Sequence, residues 1–210
     1  MQALRECKTD LTIIIPVYNL EEHIQPMLTS LKHQELNEYK VEVIFVLNNC
    51  TDDSEKIIKA NMPDARILYC SIQGCGSARN VGMDAATGEF IWFMDGDDWL
   101  LSDTAIKDVL DKAYEEDLNI LWIPFASDRY QYQYFSMVWQ YLFRRSFVDE
   151  FRFPDIQPAE DDAFTAWVLR KAGRNQGNYM WLPRMEKPQY FYNYMREGSN
   201  MFRVAKGEKI

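Results

Sequence analysis

Along the first hundred residues, short apolar runs alternate with stretches whose apolar positions recur every three or four residues. The runs are LTIII (11–15), VEVIFVL (41–47), RILYC (66–70) and EFIWFM (89–94), rich in β-branched and aromatic side chains. Strands covered on both faces read this way, so the runs predict a mostly parallel sheet. Helices are predicted between them. Asn19 followed by Glu22 resembles a capping box, after which Ile24, Leu28 and Leu31 share one face. Thr51 or Asp52 is placed to cap a helix carrying Ile57 and Ile58. Ser77 is placed to open another that runs to Ala86 and closes at Gly88. Strand and helix in alternation predict an α/β sandwich with right-handed crossovers.

The texture changes after residue 100. Ser102 or Asp103 can cap a helix with Ile106, Val109, Leu110 and Ala113 inward, and NILWIPF (119–125) reads as a further strand. AEDDAF (159–164) opens a helix that ends near Lys171-Ala172-Gly173. Two-thirds of the aromatic residues fall between Trp122 and Tyr194. No repeat, low-complexity tract or Pro/Gly linker marks a boundary, which predicts one domain over residues 1–210 with functional halves of about 1–100 and 101–210.

Composition narrows the class. The chain has 210 residues, 47% of them hydrophobic and 26% charged, which suits a single domain with a real core and excludes disorder as the main state. A formal charge of −9 opposes nucleic-acid binding, which needs a basic surface. The four cysteines (Cys7, Cys50, Cys70, Cys75) form no CxxC pair, which favours a reducing compartment. The uncharged run Tyr130–Phe143 is too short and too Gln-rich to span a bilayer, and MQALRECKTD lacks the apolar stretch of a signal peptide. The expectation is a cytoplasmic protein, free or peripheral at the inner face of a membrane.

The chemistry concentrates in FMDGDDW (93–99). The two-residue strand period puts Asp95 and Asp97 on one side as the chain leaves an apolar strand. Carboxylates crowded there are costly unless a cation or donor compensates, and open α/β sheets bind ligands at that edge. Mg²⁺ or Mn²⁺ held by one or two carboxylates and a ligand's phosphates satisfies both conditions; an Asp-rich turn capping the next helix is the plainer reading. In GCGSARNVG (74–82) the glycines permit close backbone approach, and a helix N-terminus with Arg79 can hold a diphosphate or simply pair with the Asp cluster. The acids of AEDDAF are either good dipole chemistry or a general base, with the dipole lowering and the acidic neighbours raising its pKa. His23 and His33 lack a third ligand for zinc, and Ser199 has no paired histidine.

Taken in order, these segments resemble glycosyltransferase family 2, the inverting GT-A group. IIIPVYN (13–19) is similar to its first strand and nucleotide loop, and EVIFVLNNCTDDS (42–54) to its second strand and DDGSTD-like turn. Residues 74–99 resemble its glycine-arginine helix and DxD strand. VWQYLFRRSFVDEFRFP (138–154) with EDDAF (160–164) resembles the acceptor segment and its ED pair. YNYMREGSNM (192–201) resembles a closing Tyr-rich motif of polysaccharide-type members.

The resemblance implies a single Rossmann-like GT-A domain and an inverting, metal-assisted transfer. A nucleotide-diphosphate sugar, first of all a UDP-sugar, would donate to a hydroxyl of a glycan or lipid-linked acceptor. Pro16, Tyr18 and Asn19 would line the base, Arg79 would approach the diphosphate, and Asp95 with Gly96 would sit at the ribose. Asp97, together with Asp95, would hold Mn²⁺ or Mg²⁺. Asp161 would be the base with Glu160 beside it. The family often places an Asp pair where this chain has Leu47 and Asn48, leaving the Asn48 amide to meet the base edge. Trp99, Trp139 and Trp181 are candidate stacking faces for an acceptor sugar, or else core. A sugar-phosphate nucleotidyltransferase and a non-catalytic nucleotide- or glycan-binding relative are the alternatives.

Overall fold

The structure, a computed structural model, describes residues 9–128, 137–156, 159–173 and 182–193. In chain order these form β1 (Leu11–Val17), α1 (Gln25–Lys32), β2 (Val41–Leu47), α2 (Ser54–Asn61), β3 (Arg66–Tyr69) and α3 (Cys75–Ala85). There follow β4 (Phe90–Phe93), β5 (Trp99–Leu100), α4 (Ala105–Glu115), β6 (Ile120–Trp122) and β7 (Phe125–Ser127). A 3₁₀ turn (Val138–Gln140) leads into β8 (Tyr141–Arg144), α5 (Arg145–Val148), α6 (Glu160–Lys171) and β9 (Tyr190–Tyr192). No helix among the described residues is long and apolar enough to cross a membrane.

The large sheet has the order β3-β2-β1-β4-β8-β6. Its first four strands are parallel, with Ile13 opposite both Val43 and Trp92, and β8 runs antiparallel to β4 and β6. All seven residues of β1 are buried. The two-residue period explains this, because each face meets its own core. Ile13, Ile15, Phe45 and Trp92 join Leu28 of α1, Ile58 of α2 and Leu110 of α4. Ile14, Ile44 and Phe93 join Ala78 of α3 and Phe164 and Val168 of α6. Each buried aliphatic or aromatic side chain contributes roughly 1.5–3 kcal/mol. The layer between β1 and α3 is especially thin: a Cβ on Gly82 would lie 2.3 Å from Ile14 Cγ2.

Several helix starts differ from the sequence expectation, for local reasons. α1 begins at Gln25 and not after Asn19, because Pro26 sits in its first turn, where a missing N–H costs nothing. Asn19 instead adopts φ 49° and accepts the Thr51 N–H through Oδ1 at 2.8 Å, tying the loop after β1 to the loop after β2. Asp52 does serve the start of α2, its Oδ1 accepting the Ser54 N–H at 3.1 Å. α3 starts at Cys75, two residues before Ser77, following Gly74 at φ 136°.

The run 119–125 is two strands, not one. Pro124 has no N–H to extend a ladder, so β6 ends in the large sheet and β7 enters a second sheet of order β5-β9-β7. That small sheet lies beside the carboxyl end of β4, and it supplies one wall of the site.

Candidate active site

β4 hands its chain directly to the acidic turn. The Met94 N–H still bonds to Ile14 O of the parallel neighbour, and the Asp98 N–H closes the turn on Asp95 O at 3.1 Å. Gly96 approaches the loop after β1 closely: a Cβ there would lie 2.7 Å from Leu20 Cδ1. The turn thereby packs on the loop that leaves β1. Asp95 and Asp97 are half-buried beside it, whereas Asp98 is fully buried.

Arg79 lies on α3 with only 4% of its side chain exposed. Its Nη2 donates to Asp95 Oδ1 at 3.0 Å and its Nη1 to Asp161 Oδ1 at 2.6 Å, with Glu160 Oε1 at 3.7 Å. The guanidinium carbon stands 5.4 Å from the Phe153 ring centre. Burial disfavours the charged form, but Asp161 and then Asp95 outweigh it and hold the group firmly cationic. Both Nη groups are thus engaged by carboxylates, the pairing with the Asp cluster that the sequence also offers. Arg79 is the strut between the acidic turn and α6.

Asp161 and Glu160 open α6, where the helix dipole and the buried setting oppose each other. Asp161 Oδ2 accepts the Val138 N–H at 3.1 Å. Burial, the largest influence, raises its pKa to about 6 against the lowering effect of Arg79; Asp95 and Glu160 add to the rise, while the Val138 N–H opposes it. A carboxylate titrating near neutrality can take a proton in mild conditions. Gly76 leaves room for this arrangement, because a Cβ there would meet Phe153 Cβ at 3.0 Å and Glu160 at 3.4 Å.

Asp95, Glu160 and Asp161 gather around one guanidinium, with Asp97 and Asp98 following in the same turn as Asp95. That excess of negative charge fits a divalent cation, and Asp95 and Asp97 present the hard oxygen donors Mg²⁺ or Mn²⁺ prefers. Glu160 Oε2 and Arg79 Nε are buried with no hydrogen-bond partner, so polar capacity is left over for a ligand. No three acidic, His or Cys side chains among the described residues converge closely enough to hold a metal by themselves. An ion here would complete its shell from phosphates and water.

Three other expected site residues fall elsewhere. Asn48 is 3% exposed; its amide donates to Cys70 O at 3.0 Å and Ile72 O at 2.7 Å, and its Oδ1 accepts the Gly74 N–H at 2.7 Å. It therefore locks the loop between β3 and α3 and does not meet a base edge. Trp139 is 1% exposed, stacked on Tyr190 at 4.8 Å and Tyr192 at 4.9 Å. It is core and not a sugar platform. Pro16 is buried within β1 opposite Val46, so it shapes the edge rather than exposing a face. Tyr18, 53% exposed, and the exposed Asn19 do stand at the carboxyl end of β1. Trp99 is half-buried and stacked on Phe191 at 4.2 Å. Trp181, Ser199 and nearly all of the 192–201 motif lie outside the described residues.

Sequence reasoning missed what Asp98 does. Tyr190 donates its hydroxyl to Asp98 Oδ2 at 2.7 Å, and the Tyr190 hydroxyl oxygen accepts the Asp95 N–H at 3.0 Å. The Asn193 N–H bonds to Asp98 Oδ1 at 2.8 Å. Burial first, then Asp97 and Asp95, push the Asp98 carboxyl well above the usual range. The only signal in the sequence was a third acid directly before Trp99-Leu100, where a strand resumes.

A sheet of this order, with an acidic strand-end turn strutted to an acidic helix N-terminus, is the architecture of a GT-A glycosyltransferase. TarS of Staphylococcus aureus, solved in complex with UDP-GlcNAc, superposes with a TM-score of 0.78 at 24% identity, over 92% of this chain and 61% of that one. The mannosyltransferase PcManGT of Pyrobaculum calidifontis, solved with GDP-Man and Mn²⁺, gives 0.69 at 15% identity, over 96% of this chain and 61% of that one. Residues 12–197 match the family described as Glycosyl transferase family 2, and the chain belongs to that family. The glycosyltransferase EpsJ of Bacillus subtilis (strain 168), described as uncharacterized, is 30% identical over 209 residues, covering 81% of this chain and 60% of EpsJ. The putative glycosyltransferase EpsH of the same strain is 35% identical over 112 residues, 52% of this chain and 32% of EpsH. The chain thus spans from a third to under two-thirds of the length of these relatives.

Proposed function

We propose that this chain transfers a sugar from a nucleotide-diphosphate sugar, a UDP-sugar, to a hydroxyl of a glycan or lipid-linked acceptor, with inversion at the anomeric carbon. The observation that carries this reading is the Arg79 bridge, which brings Asp95 from the donor half and Asp161 from the acceptor half onto one guanidinium. Family membership replaces the nucleotidyltransferase alternative. The UDP-GlcNAc named with TarS favours a uridine donor.

The donor lies over the carboxyl ends of β1 and β4, with Tyr18 and Asn19 on the base side. Asp95 and Asp97 would hold a divalent ion, which supplies charge neutralisation for the departing diphosphate. Asp161 accepts the proton of the acceptor hydroxyl. That oxygen forms a bond to the anomeric carbon as the bond to the diphosphate breaks, and its electron pair leaves with the nucleotide. Arg79 keeps Asp161 oriented and its ionised form accessible, and Glu160 flanks the acceptor. The free thiols Cys50, Cys70 and Cys75 suit a reducing, cytoplasmic setting.

The test is calorimetric binding of UDP- and GDP-sugars with and without Mn²⁺, followed by transfer assays on Asp161→Asn. Donor binding that weakens by ~1–3 kcal/mol on adding EDTA or in Asp97→Asn supports the metal assignment. Asp161→Asn should keep donor affinity and lose roughly 10²–10⁴ in turnover. Full turnover in that variant would remove Asp161 as the base, and donor binding by the wild type without turnover on any acceptor would point to the non-catalytic reading.

A further inference from the structure

We propose that Tyr190 and Asp98 are positioning residues that hold the Asp95–Asp97 turn in its donor-binding shape, clamping it to the small sheet through one shared hydroxyl. The inference rests on the donor-site reading above and adds residues which that reading does not use.

Asp98 and Tyr190 are both completely buried, and they lie on elements 92 residues apart in the chain. The Tyr190 hydroxyl uses both of its capacities at the turn: its proton goes to Asp98 Oδ2, and its oxygen receives the Asp95 N–H. Asp98 Oδ1 takes the Asn193 N–H, and Asn193 Nδ2 reaches Asp97 O at 3.3 Å. The backbone of both proposed metal-binding residues is therefore fixed from the same short segment, 190–193. A turn of four residues with Gly96 in its middle has little rigidity of its own. Here its peptide orientation is set from outside.

The clamp is itself held. Tyr190 sits between Trp139, stacked at 4.8 Å and 16°, and Trp92 at 6.4 Å. The Trp92 indole N–H donates to Trp139 O at 2.9 Å. Leu100 pairs with Tyr190 and Trp99 with Phe191, so the chain resumes strand pairing immediately after the turn. The aromatic wall of the second half thus has a function besides core: it fixes one hydroxyl to within hydrogen-bond tolerance of a catalytic turn, where displacements of an ångström matter.

The experiment compares Tyr190→Phe, Asn193→Ala and Tyr114→Phe with the wild type. Tyr114 donates its hydroxyl to Asp10 Oδ1 at 2.8 Å, far from the acidic turn in the fold, and serves as the control for losing a half-buried phenol-to-carboxylate bond. The readouts are UDP affinity with Mn²⁺, UDP affinity in EDTA, and thermal midpoint. Tyr190→Phe should lose about tenfold in Mn²⁺-dependent UDP affinity while its EDTA affinity changes less than about twofold, the scale expected for two hydrogen bonds that orient charged groups. Asn193→Ala, a half-buried change that leaves the core intact, should move the same way by about two- to threefold. Tyr114→Phe should lower the midpoint without altering either affinity. Should Tyr190→Phe fail to fold, Asn193→Ala carries the comparison. Unchanged Mn²⁺-dependent affinity in the folded variants, or an equal loss in Tyr114→Phe, overturns the clamp while leaving the donor reading intact. A wild type that binds UDP equally with Mn²⁺ and with EDTA overturns the metal reading and the clamp together.

Discussion

Replacing Arg79 by Met removes a buried cation and keeps most of the side chain's length and its contact with Phe153. The structure fixes what is left behind. Asp161, with 13% of its side chain exposed, loses its shortest partner, and Glu160 at 12% loses its nearest positive charge. Asp95 is 31% exposed, and water can take over much of its compensation. The cost is therefore dominated by Asp161, and breaking a buried pair of this kind costs ~3–5 kcal/mol. For a chain of this size that is on the order of 10 °C in thermal midpoint.

The same geometry dictates a pH dependence. In the wild type the Asp161 carboxyl titrates near 6, above its unfolded value of 3.8, so the folded state binds more protons between those limits. Folding stability attributable to Asp161 is present below pH 4 and is lost as pH rises through about 6. Without Arg79 the folded pKa climbs further, and the loss continues to higher pH. Urea unfolding of both proteins should therefore give a small difference at pH 5 and nearly the full cost at pH 8. An equal difference at both pH values would mean that the guanidinium acts through packing on Phe153, and the strut as described would be wrong.

Three further outcomes follow from the same contacts. Asn48→Ala should weaken all nucleotide sugars about equally, because it frees the loop before Gly74; selective loss of one nucleotide in a calorimetric panel would restore base reading to Asn48. Gly82→Ala should destabilise by ~1–3 kcal/mol through its collision with Ile14, although Ala ordinarily favours a helix by about 1 kcal/mol; a raised midpoint would refute the close approach. Transfer rates should fall about tenfold per pH unit below roughly pH 6 as Asp161 protonates, an acid limb that must move in Asp161→Glu if Asp161 is the base.

How much of this was legible in the sequence depended on the range of the interaction involved. β2 runs over residues 41–47, as its apolar run predicts, and β4 falls inside 89–94, because burial on both faces leaves an uninterrupted local pattern. The helix that starts at Glu160 was equally visible, since dipole chemistry is written in adjacent residues. Local signals failed where a distant partner claimed the same side chain. Asn19 looks like a cap, yet its oxygen is taken by Thr51, 32 residues away. Asn48 looks like a ligand contact, yet three backbone groups between Cys70 and Gly74 saturate it.

The site divides along the same line. Asp95, Asp97 and Asp161 could be picked out as candidates from the cost of crowding acids at an apolar strand end and from the resemblance of the segments around them. What joins them could not. Arg79 pairs with residues 16 and 82 positions away, and Tyr190 reaches back 92 to Asp98. Both are buried polar groups whose partners are set by topology, and in each case the partner decides what the group can do. An arginine committed to two carboxylates braces the acidic turn against α6. A tyrosine sealed beneath Trp139 cannot meet a sugar, but it can hold the peptide that carries Asp95. The candidate site therefore owes its acids to local sequence and their arrangement to long-range polar pairs, and those pairs are where substitutions will separate folding from catalysis.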